Sequence, residues 1–239
     1  MSDVLELQQI TKSYGGRTVL DAVNLKLPAG ELMGLIGPSG SGKSTVIKLA
    51  LGMAQADAGV AHIFDIQMPD RQALGKIGYM AQSDALYEAL SGYDNLKFFA
   101  QMRDIRVVDE EIKRVATIVN LTDALDQQVK GYSGGMKRRL SLAIAFLGEP
   151  EFLILDEPTV GIDPALRRQI WDELRRQQAQ QKTILITTHV MDEAEKVDRV
   201  VLLFDGRIIA DDSPAALKAR YDVSTVEQVF LKAEVEAGK

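Results

Sequence analysis

Residues 35–45 read LIGPSGSGKST, an apolar strand end that breaks into three glycines within six positions and then commits to a lysine and two hydroxyls. Glycine weakens a regular element by about 0.5–1 kcal/mol relative to alanine, so a cluster this dense serves a backbone shape that side chains would forbid. Val46, Ile47, Leu49, Ala50 and Met53 recur at helical spacing and predict a helix from Ser44 to about Met53. The stretch is strand, loop, helix, and the fold must supply a sheet to carry it.

The rest of the chain supplies one. Up to about Phe64 it is rich in short strands, VLEL, AVNLKL, LMGLI and, after a turn at Gly59, VAHIF, some of them antiparallel. From about Asp84 to Glu149 the texture is helical, with Met136, Leu140, Ala143, Ile144 and Leu147 on one helix face. Three β-branched-rich strands follow, FLILD, TILITT and VVLLF, separated by helical segments. This order predicts an α/β protein, a mainly parallel doubly wound sheet with an antiparallel β part before it and a helical subdomain inserted in it. Residues 1–239 are expected to form a single domain, β-rich over 1–83, helical over 84–149, and completing the α/β core over 150–239.

Composition narrows the function classes. With 46% apolar residues in 239, the chain can bury a full core, but no apolar run approaches the roughly 20 residues of a membrane helix. The N-terminal stretch lacks the build of a secretory signal and there is no cysteine, so a cytoplasmic location is expected. A net charge of −6, with 28 basic and 34 acidic residues interspersed, argues against a nucleic-acid surface.

Gly37, Gly42, Lys43 and Ser44 fit G-x-x-x-x-G-K-[ST]. At that spacing successive backbone N–H groups turn inward as an anion nest, and the helix that follows aims its positive end at the same place. The stretch is therefore expected to hold phosphates, lined by Gly37, Pro38, Ser39, Gly40, Ser41 and Gly42. Lys43 would reach the β- and γ-oxygens, Ser44 would ligate Mg2+ and Thr45 would bond the α-phosphate. Hydrolysis also needs carboxylates, and FLILDEPT brings Asp156 and Glu157 out at the carboxyl end of a buried strand, where such a sheet puts its ligand. Asp156 would hold the metal shell and Glu157 would polarise the attacking water. The bland alternative is that both acids cap the next helix.

In KGYSGGMKRRL, Ser133, Gly134 and Gly135 precede a strongly periodic helix and form a second anion-seeking helix start. One nucleotide seldom uses both within a single chain, so a face-to-face dimer is the economical expectation. His189 ends TILITT at the carboxyl edge and suits a γ-phosphate contact, or else a capped turn.

With these stretches in order along nearly its whole length, the chain resembles the nucleotide-binding subunit of an ABC transporter. Walker A is 37–45, the Q-loop falls at Gln82, the signature begins at Ser133, Walker B ends in Asp156 and Glu157, the D-loop ends at Asp163, and the switch histidine is His189. The resemblance implies a P-loop NTPase (RecA-like) core binding ATP with Mg2+. It implies Tyr14 as the ring stacked on adenine, and Gln82 as a metal and water contact that moves with the helical subdomain. Two subunits would pack head to tail around two nucleotides and drive a separate membrane-spanning permease from its cytoplasmic face. Tyr132 and Met136 flank an intact Ser-Gly-Gly where many members read LSGGQ. YSGGMKRR, with the tail STVEQVFLKAE, is similar to ATPases of the ABC-2 exporter type.

The rival class is a soluble ABC ATPase of cofactor assembly or nucleic-acid maintenance; the long coiled coils, zinc cysteines and paired cassettes of such maintenance proteins are missing from these 239 residues. Blander expectations attach to the remaining residues. Gln82 could be a polar loop residue, His62 is read as structural, Trp171 as core, and Lys137–Arg139 as a solvated helix face. Tyr87, Tyr93, Phe98, Phe99 and Met102 are either core or a groove for the permease.

Overall fold

The computed structural model describes residues 3–83 and 85–238, so the boundary expected at Asp84 lies outside the described residues. In chain order the elements are β1 (Asp3–Tyr14), β2 (Arg17–Pro28), β3 (Leu32–Ile36), α1 (Lys43–Ala50), β4 (Ala58–Ile63), β5 (Ile66–Gln67), α2 (Arg71–Gly75) and β6 (Ile77–Met80). Then come α3 (Gly92–Met102), α4 (Val108–Ile118), α5 (Gly134–Phe146), β7 (Phe152–Asp156), α6 (Pro164–Ala179), β8 (Thr183–Thr188) and α7 (Met191–Ala194). The chain closes with β9 (Arg199–Phe204), β10 (Arg207–Asp212), α8 (Pro214–Tyr221) and α9 (Val226–Glu236). Among the described residues no helix is long and apolar enough to cross a membrane.

The chain divides into two compact units, one of Met1–Leu74 with Thr183–Lys239 and one of Gly75–Lys182. The helical stretch expected over 84–149 falls inside the second unit, which also takes in β6, β7 and α6.

In the first unit β1 and β2 form a long antiparallel hairpin, continued in the order β2-β1-β4-β5. Its alternating Leu5, Leu7, Leu25 and Leu27 are buried, as a sheet with one covered face requires. The second sheet of this unit runs β10-β9-β3-β8, with β3 parallel to both neighbours. Every residue of β3 and β8 is buried, which is why both read as unbroken apolar and β-branched runs. The helix α1 ends at Ala50, short of the expected Met53, because Gly52 turns left-handed at φ 68° and leaves Met53 exposed. Two further helices, α8 and α9, begin at side-chain caps Ser213 and Thr225, the first followed by proline at its first position.

In the second unit β6 and β7 pair in parallel, and α5 packs against both. Leu140, Ala143, Ile144 and Leu147 are buried as their spacing predicts, and Trp171 on α6 is core. The approach of α5 to β6 depends on Gly78, where an added Cβ would lie 2.1 Å from the carbonyl oxygen of Ala145. Gly78→Ala must push helix and strand apart, so we expect a loss of about 1–3 kcal/mol in urea unfolding, the usual cost of overpacking. Parental stability in that variant would contradict the close contact.

Candidate functional site

In the first unit Ile36 is paired with Thr188 of β8 and Leu202 of β9. Gly37 and His189 therefore leave neighbouring strands at one carboxyl edge, as the sequence led us to expect. The loop 37–42 puts Pro38, Ser39 and Gly40 at the surface and buries Gly37, Ser41 and Gly42. Gly42 starts α1 with φ 110° and no side-chain cap, and an added Cβ would strike the Leu20 side chain at 2.7 Å. The part of β2 next to the hairpin turn thus lies against the loop, and Tyr14, half exposed, stands at the tip of that hairpin with the Lys12 ammonium 5.2 Å from its ring centroid.

Lys43 is buried, and its Nζ donates to the carbonyls of Gly37 at 2.8 Å and Pro38 at 3.0 Å. The ammonium is thereby folded back into the loop that carries it. The Ser41 hydroxyl is buried with no hydrogen-bond partner among the described residues. Ser44 and Thr45, half-buried, open α1 with no acidic residue in its first turn. A buried cation, an unused hydroxyl and an acid-free helix start fit a polyphosphate and repel nothing about it. His189 is exposed, and the turn that presents it is fixed by Thr188, whose hydroxyl donates to Glu193 at 2.7 Å and accepts from the Val190 N–H at 3.0 Å. Glu193 is buried and was not singled out in the sequence, although its spacing after His189 puts it one helical turn away.

In the second unit the β6–β7 ladder ends at Met80 opposite Leu155. Gln82, exposed, and the buried pair Asp156 and Glu157 follow directly beyond it. Glu157 adopts φ 53°, a left-handed backbone that costs a non-glycine residue about 1–3 kcal/mol. Burial, and after it the negative charge of Asp156, pushes the Tyr79 phenol above its ordinary value. Ser133 caps α5, its Oγ accepting from the Met136 N–H at 3.2 Å, and Ser133 and Gly134 lie exposed at that helix start. Gly135 follows, half-buried. Tyr132 is buried before them, its hydroxyl donating to the Ala124 carbonyl at 2.6 Å. Asp163 caps α6, accepting from the N–H groups of Ala165 and Leu166 at 3.1 and 3.0 Å, with Pro164 at the first position.

One expectation changes, and one left open is narrowed. Arg138, read as part of a solvated basic face, is only 7% exposed. Of the aromatic set, Tyr87, Phe98 and Met102 are exposed, with Tyr87 and Phe98 edge to face at 4.9 Å, so they form a surface cluster rather than core.

A parallel sheet that delivers a glycine-rich, lysine-bearing loop into a helix start defines a P-loop NTPase. The pattern of the ABC transporter family matches residues 20–160, and the chain belongs to that family. It is 41% identical over 221 residues to a Nod factor export ATP-binding protein I of Rhizobium meliloti, covering 90% of this chain and 66% of that one. It is 36% identical over 238 residues to the probable multidrug ABC transporter ATP-binding protein YbhF of Escherichia coli K12, covering 96% of this chain and 41% of that one. The chain thus spans just under two-thirds of the rhizobial relative and less than half of the other. Among solved structures, an ATP-binding subunit of an ABC transporter superposes with a TM-score of 0.89 at 26% identity, covering 97% of this chain and 99% of that one.

Proposed function

We propose that the chain is the ATP-hydrolysing subunit of an ABC exporter, binding Mg-ATP, closing as a head-to-tail dimer over two nucleotides, and driving a separate membrane-spanning permease from its cytoplasmic face. The observation that carries the reading is the buried Lys43 ammonium inside a glycine loop that also holds an unpartnered hydroxyl. Export is supported by what the rhizobial and enterobacterial relatives are called.

Each residue has a role that its environment suits. Lys43 exchanges two neutral loop carbonyls for β- and γ-phosphate oxygens, and the N–H groups of the loop and of α1 take the remaining charge. Tyr14, exposed at a hairpin tip, offers its face to adenine. Among the described residues no cluster of three or more His, Asp or Glu could hold a metal alone. That fits Mg2+, which takes one or two protein oxygens and completes its shell with water and phosphate. Ser44, Asp156 and Gln82 would hold it, and it would supply charge neutralisation at the phosphates.

Glu157 accepts a proton from water as the water oxygen bonds to the γ-phosphorus; the bond from that phosphorus to the bridging oxygen breaks and ADP departs with the electron pair. His189 contacts the γ-phosphate through a turn held by Thr188 and Glu193. Ser133 and Gly134 stand exposed, with half-buried Gly135 beside them, for the nucleotide of the second copy, and Asp163 sits at the start of α6 to meet the same partner.

Co-purification from membranes decides between this and a soluble role. The tagged chain should bring down a polytopic membrane protein, and release of phosphate from ATP should follow. Recovery with soluble partners alone would contradict the exporter reading.

A further inference from the structure

Three consecutive basic residues, Lys137 to Arg139, lie in the first two turns of α5, and they part company. Lys137 pairs with Glu88 at 2.5 Å and Arg139 donates to the Asn120 carbonyl at 3.0 Å, both near the surface. Arg138 turns inward. Its Nη1 donates to the carbonyls of Ala81 at 2.8 Å and Gln82 at 2.9 Å, and its Nη2 to the carbonyls of Glu157 at 2.6 Å and of Asp156. These four acceptors lie just past the point where the β6–β7 ladder stops. The planar fork of a guanidinium spans the gap with fixed directions, which the single ammonium of a lysine cannot do.

The consequence reaches the chemistry. Glu157 holds a left-handed backbone that persists only where its surroundings over-determine it, and the Arg138 fork fixes the peptide groups on both sides of Glu157. The same fork holds the segment carrying Gln82 and roots both on the helix that Ser133 caps.

We propose that Arg138 is a positioning residue for hydrolysis: it locks Glu157 and Gln82 into one arrangement and ties that arrangement to the Ser133 end of α5. The inference rests on the ATPase reading above. It is tested on the purified full chain with R138M, R138K and the parent, measuring steady-state ATPase kinetics, binding of a fluorescent ATP analogue with Mg2+, and thermal unfolding.

R138M should lower kcat by about 100-fold, as a displacement of a catalytic group by about 1 Å does, with KM and analogue affinity within about threefold of parent. R138K, keeping the charge and one edge of the contacts, should recover part of the rate and remain about tenfold slow. A folded R138M within about twofold of parental kcat would overturn the inference, as would KM rising in step with the fall in kcat. Should R138M fail to fold, R138K decides: a tenfold loss supports the role, and parental kcat sinks it. A parent chain that neither binds nor hydrolyses ATP would overturn the ATPase reading and this inference together, whereas an active parent with active variants would overturn this inference alone.

Discussion

Lys43→Ala leaves a folded chain that no longer binds ATP at millimolar concentration. The lysine is buried, so its removal takes a full positive charge from the floor of the loop, where it is proposed to meet the β- and γ-oxygens. Two charge-assisted hydrogen bonds of about 1.5–3 kcal/mol each are forgone, which lowers affinity by about 100- to 10,000-fold. Stability should fall by about 1–3 kcal/mol, because the Gly37 carbonyl is left buried without its donor while that of Pro38 lies at the open tip of the loop. Isothermal titration with ADP and ATP, beside a melting curve, measures both quantities. Retained tight binding would remove the phosphate role from this loop.

Glu157→Gln should separate binding from turnover. The amide is isosteric and keeps the backbone carbonyl that Arg138 holds, so the left-handed turn survives. It cannot accept a proton from water, and loss of a general base costs about 100- to 10,000-fold in rate. Nucleotide affinity should stay within about threefold of parent, since a base acting only in the transition state adds nothing to ground-state binding. Phosphate release under saturating ATP is the measurement. Near-normal hydrolysis would take Glu157 out of the role and point to another group as the base.

Much of this was legible in the sequence, for a reason that is physical. The glycine loop, the all-buried strands and the helix start at Ser133 depend on local spacing, and local spacing is what a sequence displays. The parallel β3, β7 and β8 could be read because strands covered on both faces have few polar positions. Arg138 was missed because a run of three basic residues suggests solvent. The contrary signal was present: Arg138, Leu142 and Ala145 recur at i, i+4 and i+7, and all three are buried. What no spacing could disclose is that its guanidinium meets backbone carbonyls, because main-chain acceptors carry no residue identity. Glu193 was missed for a similar reason: an acid in an acidic segment reads as exposed until a buried hydroxyl, that of Thr188, is found facing it. The strand β10 and the helices α8 and α9 went unread because β10 is only partly buried and its Arg207, Asp211 and Asp212 interrupt the apolar alternation.

The proposed cycle depends on ATP bringing two copies together. Sedimentation velocity of the Glu157→Gln chain, with and without Mg-ATP, tests this most directly. We expect a 26.3 kDa species without nucleotide and a species of twice that mass with it, the shift abolished by adding Lys43→Ala. A chain that binds ATP yet sediments only as a monomer would contradict the dimer, and with it the assignment of Ser133, Gly134 and Gly135 to a partner's nucleotide.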